Sequence, residues 1–202
     1  MTVDIDALQA FCEFGPDRVY LLVAIARAKE NPATDERDRP TIREVVTDAE
    51  ELPQTVGQLD HAASSFDATY RLYLTVNARD ALAATFDLRR RMDDWLEMRL
   101  HGNEEVAAKF KRVDSEYKSV LQSDACADDS YFIFDLDDAT QAEADRLESA
   151  LTAETTVRLV RETPNGYHIV TAPFDYTAFE SDVAYELKTD GLLFCSYVGD
   201  AG

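Results

Sequence analysis

Pro164-Asn165-Gly166 lies between two β-rich runs, Val157 to Glu162 and Tyr167 to Pro173. An Asn-Gly step flanked in this way is a strong hairpin signal, because both residues accept the backbone angles of a tight antiparallel turn. The surroundings extend that unit. Tyr131 to Asp137 reads as a strand, Gln141 to Ala153 as a helix, Tyr176 to Leu187 as a second helix and Leu192 to Val198 as a last strand. The order strand, helix, strand, strand, helix, strand predicts an α/β (α+β) fold with one mixed sheet.

The N-terminal part reads as a cap on that sheet, covering residues 1–69. Helical spacing runs from Ile5 to Phe14 and again from Asp17 to Lys29, divided by Gly15-Pro16. Residues 31–39 are charged and end at Pro40, which predicts an exposed loop. Thr41 to Val46 is a short strand, Asp48 to His61 a helix, and Tyr70 to Val76 a strand. Asn77 is expected to cap a long helix that ends at His101-Gly102-Asn103, and the steps from Val106 to Gln122 predict one further helix. Residues 79–122 thus form a helical insertion, 123–129 a polar linker and 130–199 the α/β core, all within a single domain spanning 1–202.

Charge limits the conditions in which such a chain stays folded. The net charge is −20, from 40 acidic and 20 basic residues, and the acidic residues are spread along the whole sequence. At molar salt the Debye length falls to about 3 Å, which removes most of that repulsion. The pattern, with few lysines, is that of a protein adapted to high salt. Its acidity counts against long-range attraction of nucleic acid, so any such contact must be short-range or bridged by metal. With 46% hydrophobic residues the chain can bury a core. Cys12, Cys126 and Cys195 are too few and too far apart for a disulfide framework, and they read as core thiols. No apolar run approaches the ~18 residues of a membrane span, so a cytoplasmic protein is expected.

Tyr131-Phe-Ile-Phe-Asp-Leu-Asp137 sends a strand into alternating carboxylates. Asp135 and Asp137 face the same side because the side-chain period of a strand is two. A pair so placed can share Mg²⁺ or Mn²⁺ ions that orient and neutralise a triphosphate. The competing reading makes residues 137–140 the cap of the next helix and Asp135 a solvated strand residue. His168, just past the hairpin, can bind phosphate or act as acid or base near neutral pH; it can equally be a structural strand histidine.

Together, Asp135-Leu-Asp137 and Gly166-Tyr-His168 resemble the first two motifs of the archaeo-eukaryotic primase superfamily: two aspartates flanking a hydrophobic residue, then a small residue, any residue and histidine. The resemblance implies an RRM- or palm-like core. It also implies metal at Asp135 and Asp137, nucleotide phosphates at Asn165, Gly166 and His168, and catalysis by Asp135, Asp137 and His168. The family's third acid has no counterpart inside Leu192 to Val198, and Asp190 and Asp175 are the nearest substitutes. Residues 163–174 are also similar to a phrase found in phage and viral proteins. The resemblance therefore implies a nucleotide- or nucleic-acid-processing protein, catalytically degenerate if the third acid is missing, in viral or mobile-element replication at high salt.

Two rivals stand beside it. Asp135-x-Asp137 is similar to the motif of haloacid-dehalogenase-type phosphatases, although Ala139 stands where Thr or Val belongs. Alternatively the chain is a non-catalytic protein that binds a protein partner through helices 79–122. Arg89-Arg90-Arg91 reads as a solvated helix face paired with Asp87, Asp93 and Asp94. His61 and His101 have no ligand partners nearby in sequence.

Overall fold

Arg18–Ile25 (β1) carries six buried residues in succession, and this run decides the architecture. The structure, a computed structural model, describes residues 3–199. Before β1 comes a short helix, α1 (Ile5–Phe11), capped by Asp4. The helix expected over Asp17 to Lys29 is instead β1. A continuous apolar run satisfies helical spacing and two-sided strand burial equally well, and burial on both faces selects the strand. Tyr20, Leu22 and Ala24 face one apolar cluster, whereas Val19, Leu21 and Val23 face another.

Ile42–Val46 (β2) pairs with β1, and Leu52–Ala63 (α2) follows it. Tyr70–Thr75 (β3) lies on the other side of β1, and the two-residue strand Arg79–Asp80 (β4) pairs with its start. Helix α3 (Ala81–Leu100) is capped by Asp80, which accepts from the Ala83 amide at 2.8 Å. The helix expected from Val106 to Gln122 is broken at Lys111-Arg112 into α4 (Ala107–Phe110) and α5 (Val113–Leu121). The break lets Phe110 meet the Trp95 ring on α3, while Val120 and Leu121 pack beneath β1.

Phe132–Asp137 (β5), the helix α6 (Gln141–Glu154), Val157–Thr163 (β6) and Gly166–Thr171 (β7) follow the expected order. Thr140 and Glu143 close a capping box on α6. The helix expected over Tyr176 to Leu187 is absent: the chain makes one 3₁₀ turn at Tyr176–Ala178 and then the short strand Glu186–Lys188 (β8). Aromatic packing explains the change, because Phe174, Phe179 and Tyr185 surround Phe134 at ring distances of 5.1 to 6.3 Å. An extended segment delivers these three rings to one spot.

Leu192–Val198 (β9) does not join that unit but pairs with β3. Among the described residues there are, in place of one mixed sheet, two antiparallel sheets, ordered β2-β1-β3-β9 with β4 beside β1, and β6-β7-β5-β8. The sequence 130–199 is therefore shared between them. Ile133 and Val170 on the second sheet and Leu193 and Cys195 on the first belong to one buried cluster. Asn77 ties the sheets together and does not cap a helix. Its amide nitrogen donates to the carbonyls of Tyr131 and Thr189, each at 3.0 Å, while its oxygen accepts from the Tyr131 amide at 2.8 Å. All three cysteines are buried and free. Burial pushes the Cys12 and Cys195 thiols up to about 12, with their proximity adding to the effect at Cys12.

Candidate functional site

Parity along β5 divides its side chains between two environments. Phe134 and Leu136 face α6, whereas Ile133 and Asp135 face the first sheet. In register with them on β7 stand Val170, opposite Ile133, and His168, opposite Asp135. The two sheets close on each other at Ile133 and Val170. One step further along the same face the side chains turn polar, and a cleft of about 410 Å³ opens. Arg27, Arg71, Tyr73, Leu192 and Phe194 line it from the first sheet. From the second come Asp135, Asp137, Thr163, Asn165, His168, Glu186 and Lys188.

Hydrogen bonds fix the centre of this cleft. The backbone N–H of Phe194 donates to His168 Nδ1 at 3.4 Å. That leaves Nε2 as the ring's donor in the neutral tautomer, and Nε2 lies 3.4 Å from Asp135 Oδ1. Lys188 Nζ contacts Asp135 Oδ2 at 2.7 Å and Glu186 at 3.0 Å. The hydrogen bond from His168, then the one from Lys188, hold the Asp135 carboxyl well below the usual carboxylate range, overcoming the opposite effect of burial. Burial works against the Lys188 ammonium, but bonds to Asp135 and Glu186 outweigh it and raise its pKa. At neutral pH the pair is ionised. Arg71 is committed to Glu30, while Arg27 lies exposed over the Tyr73 ring.

The depressed Asp135 pKa fixes the sign of a pH effect. Its stabilisation is complete above the unfolded value, about 3.9, and is lost as pH falls through the lower folded value. Urea midpoints of wild type and Asp135→Asn at constant KCl are expected to differ clearly at pH 7. The gap should narrow below about pH 4 as the carboxylate protonates. A gap unchanged on acidification would show that the ion pair contributes nothing.

The chain matches no protein-family model, no curated protein and no solved structure. The chemistry therefore rests on these residues alone. Asp135, Asp137, Asn165 and His168 are brought to one cleft. Gly166 lies at the hairpin, outside the lining. Asp190 is held by Arg79 at 2.9 Å, and Asp175 caps the exposed 176–178 turn; neither lines the cleft. Among the described residues no group of three His, Cys, Asp or Glu side chains stands close enough to hold a metal ion. The donor set is two carboxylates on one strand face. That suits a Mg²⁺-like ion only when phosphate oxygens and water complete its shell, which is how such ions commonly bind in nucleotide sites.

Lys188, Glu186, Arg27 and Arg71 escaped the sequence reading. Glu186-x-Lys188 has the same period of two as Asp135-x-Asp137, but it fell at the end of a presumed helix, where that spacing carries no meaning. Arg27 lay in another presumed helix.

Proposed function

We propose that the cleft between the sheets binds the phosphates of a nucleotide or of a nucleic-acid end, and that the chain is a small primase-like nucleotide-processing protein. The observation that carries the reading is the register of Asp135 against His168, with Asp137 on the same face and the cleft in front of them. We read the β5-α6-β6-β7 unit as a palm-like platform. The cleft's volume of about 410 Å³ is within the range of small-ligand sites, roughly 300–1,000 Å³.

In this reading Arg27 meets phosphate oxygens, and Lys188 and His168 join it by turning from Asp135 once a cation holds that carboxylate. Asp135 and Asp137 would hold a divalent cation, Mg²⁺ or Mn²⁺, which neutralises phosphate charge when bound. Asn165 at the hairpin tip supplies a polar contact for the ligand. With Asp175 and Asp190 outside the lining, a binding protein or a degenerate enzyme accords better with these residues than a complete polymerase. The setting we propose is replication of a virus or mobile element at high salt.

Calorimetric titration with Mn²⁺ and a nucleoside triphosphate at molar KCl tests this. Wild type is expected to bind nucleotide only with metal present, and Asp135→Asn/Asp137→Asn to abolish that binding while remaining folded. His168→Ala is expected to weaken nucleotide binding about tenfold, the loss of roughly one charge-assisted hydrogen bond, and to leave Mn²⁺ affinity unchanged. Absence of nucleotide binding by wild type, or equal binding by the double aspartate variant, sinks the proposal.

A further inference from the structure

Helix α3 packs one side against α5 and the sheet through Ala84 and neighbouring residues, and against α4 through Trp95. Its outer side carries Leu82, Phe86, Arg89, Asp93, Leu96 and Leu100, all exposed, with Leu100 at 88%. These positions follow one another at steps of four and three, the spacing of a coiled-coil seam. Four large apolar side chains in water on one helix face form a surface in need of a partner.

The order of the six residues identifies that partner. Read from either end the stripe runs apolar, apolar, charged, charged, apolar, apolar, and reversal exchanges Arg89 with Asp93. We infer that α3 pairs antiparallel with α3 of a second copy of this chain, forming a two-fold dimer. Leu82 then meets Leu100, Phe86 meets Leu96, and Arg89 meets Asp93, each contact made twice as an isologous interface requires. Neither Arg89 nor Asp93 has an ion partner within the chain among the described residues, whereas nearby Arg91 is taken by Asp87. Slipping one copy along the other by a heptad sets charge against leucine, so the central pairs specify register as well as orientation.

Size and charge set the conditions. Twenty residues make a helix about 30 Å long, and a pair of that length buries roughly 1,000 Å², the small end of specific interfaces. A dissociation constant on the order of 10 μM is expected. Arg90 sits beside the two-fold axis, so like charges meet there, and each chain carries −20. Both repulsions are screened at molar salt, and the dimer is expected to tighten as KCl rises.

Sedimentation equilibrium of the full chain at molar KCl, from about 1 to about 300 μM, reads the association directly. Wild type is expected to pass from monomer to dimer. Arg89→Asp and Asp93→Arg should each weaken the dimer by about tenfold or more, since each sets like charges opposite one another, and the combined swap should restore it. Both sites are exposed, so circular dichroism should be unchanged. Oxidation should crosslink a chain carrying Leu82→Cys and Leu100→Cys into a covalent dimer. Leu82→Cys alone should not crosslink, because the two copies of residue 82 lie about 27 Å apart at 1.5 Å per residue. A wild type that stays monomeric, single swaps that dimerise like wild type, or crosslinking by Leu82→Cys alone would overturn the inference.

Discussion

Gly166→Ala is expected to destabilise the protein by more than about 4 kcal/mol, beyond the range of ordinary single substitutions. Gly166 has φ +152°, and a Cβ there would stand 1.9 Å from the Leu136 carbonyl oxygen and 3.0 Å from its carbon. Those atoms are backbone within the β5-β7 ladder, so relief requires moving a strand and not a rotamer. The adjacent contact is short as well: Asp138, itself at φ 55°, donates its N–H to the Asn165 carbonyl at 2.6 Å. A methyl group at 166 thus pushes apart the strands that hold Asp135 against His168. Urea unfolding should show the loss, and nucleotide affinity should fall with it. Gly57 on α2 is the control: nothing lies within 4 Å of its added Cβ, and Gly57→Ala should stabilise by about 0.5–1 kcal/mol through helix propensity. A fully stable Gly166→Ala would show that the close approach of β7 to β5 does not exist.

Removing Arg79 is the second large effect. Its side chain is 1% exposed and contacts both oxygens of Asp190, at 2.9 and 3.0 Å, and the Ser123 carbonyl at 3.4 Å. Arg79→Met leaves the largely buried Asp190 carboxylate without its cation, an arrangement that costs roughly 3–5 kcal/mol. Asp190→Leu alone strands the guanidinium and should cost a similar amount, because either change breaks one partner of a desolvated pair. The double variant Arg79→Met/Asp190→Leu should be more stable than either single one, since two apolar side chains replace the pair. Additive losses in this cycle would deny that the two residues act as a unit. The pair stands beside Asn77, so it belongs to the junction between the sheets.

The hairpin at 164–166 was legible because its cause is local: residue types that accept turn geometry. The same holds for α6, whose capping box is written in Thr140 and Glu143, and for the shared face of Asp135 and Asp137. What escaped has distant causes. Val19 to Ala24 is strand because helices cover both its faces, and those helices lie elsewhere in the sequence. Tyr185 is extended because Phe134 collects it into an aromatic cluster. Phe110 leaves the line of α5 to reach Trp95. In the cleft, His168 stands just past a β6-β7 hairpin that the sequence reveals, and the pairing of β7 with β5 sets it opposite Asp135. Lys188 reaches Asp135 through a β8-β5 pairing that no local pattern encodes, and Arg27 enters from the other sheet.

The return of β9 to the first sheet has a consequence for the order in which the chain is made. β3 holds β1 on one edge and β9 on the other. Until residues 192–198 emerge from the ribosome, the second edge of β3 presents unpaired amides and carbonyls beside fully buried side chains, the kind of edge that invites pairing with another chain. The unit from β5 through the β6-β7 hairpin can form from its own contacts as it is synthesised. The N-terminal sheet cannot be finished before residues 192–198 have been made, which makes its completion a late, long-range step relative to the strands before it.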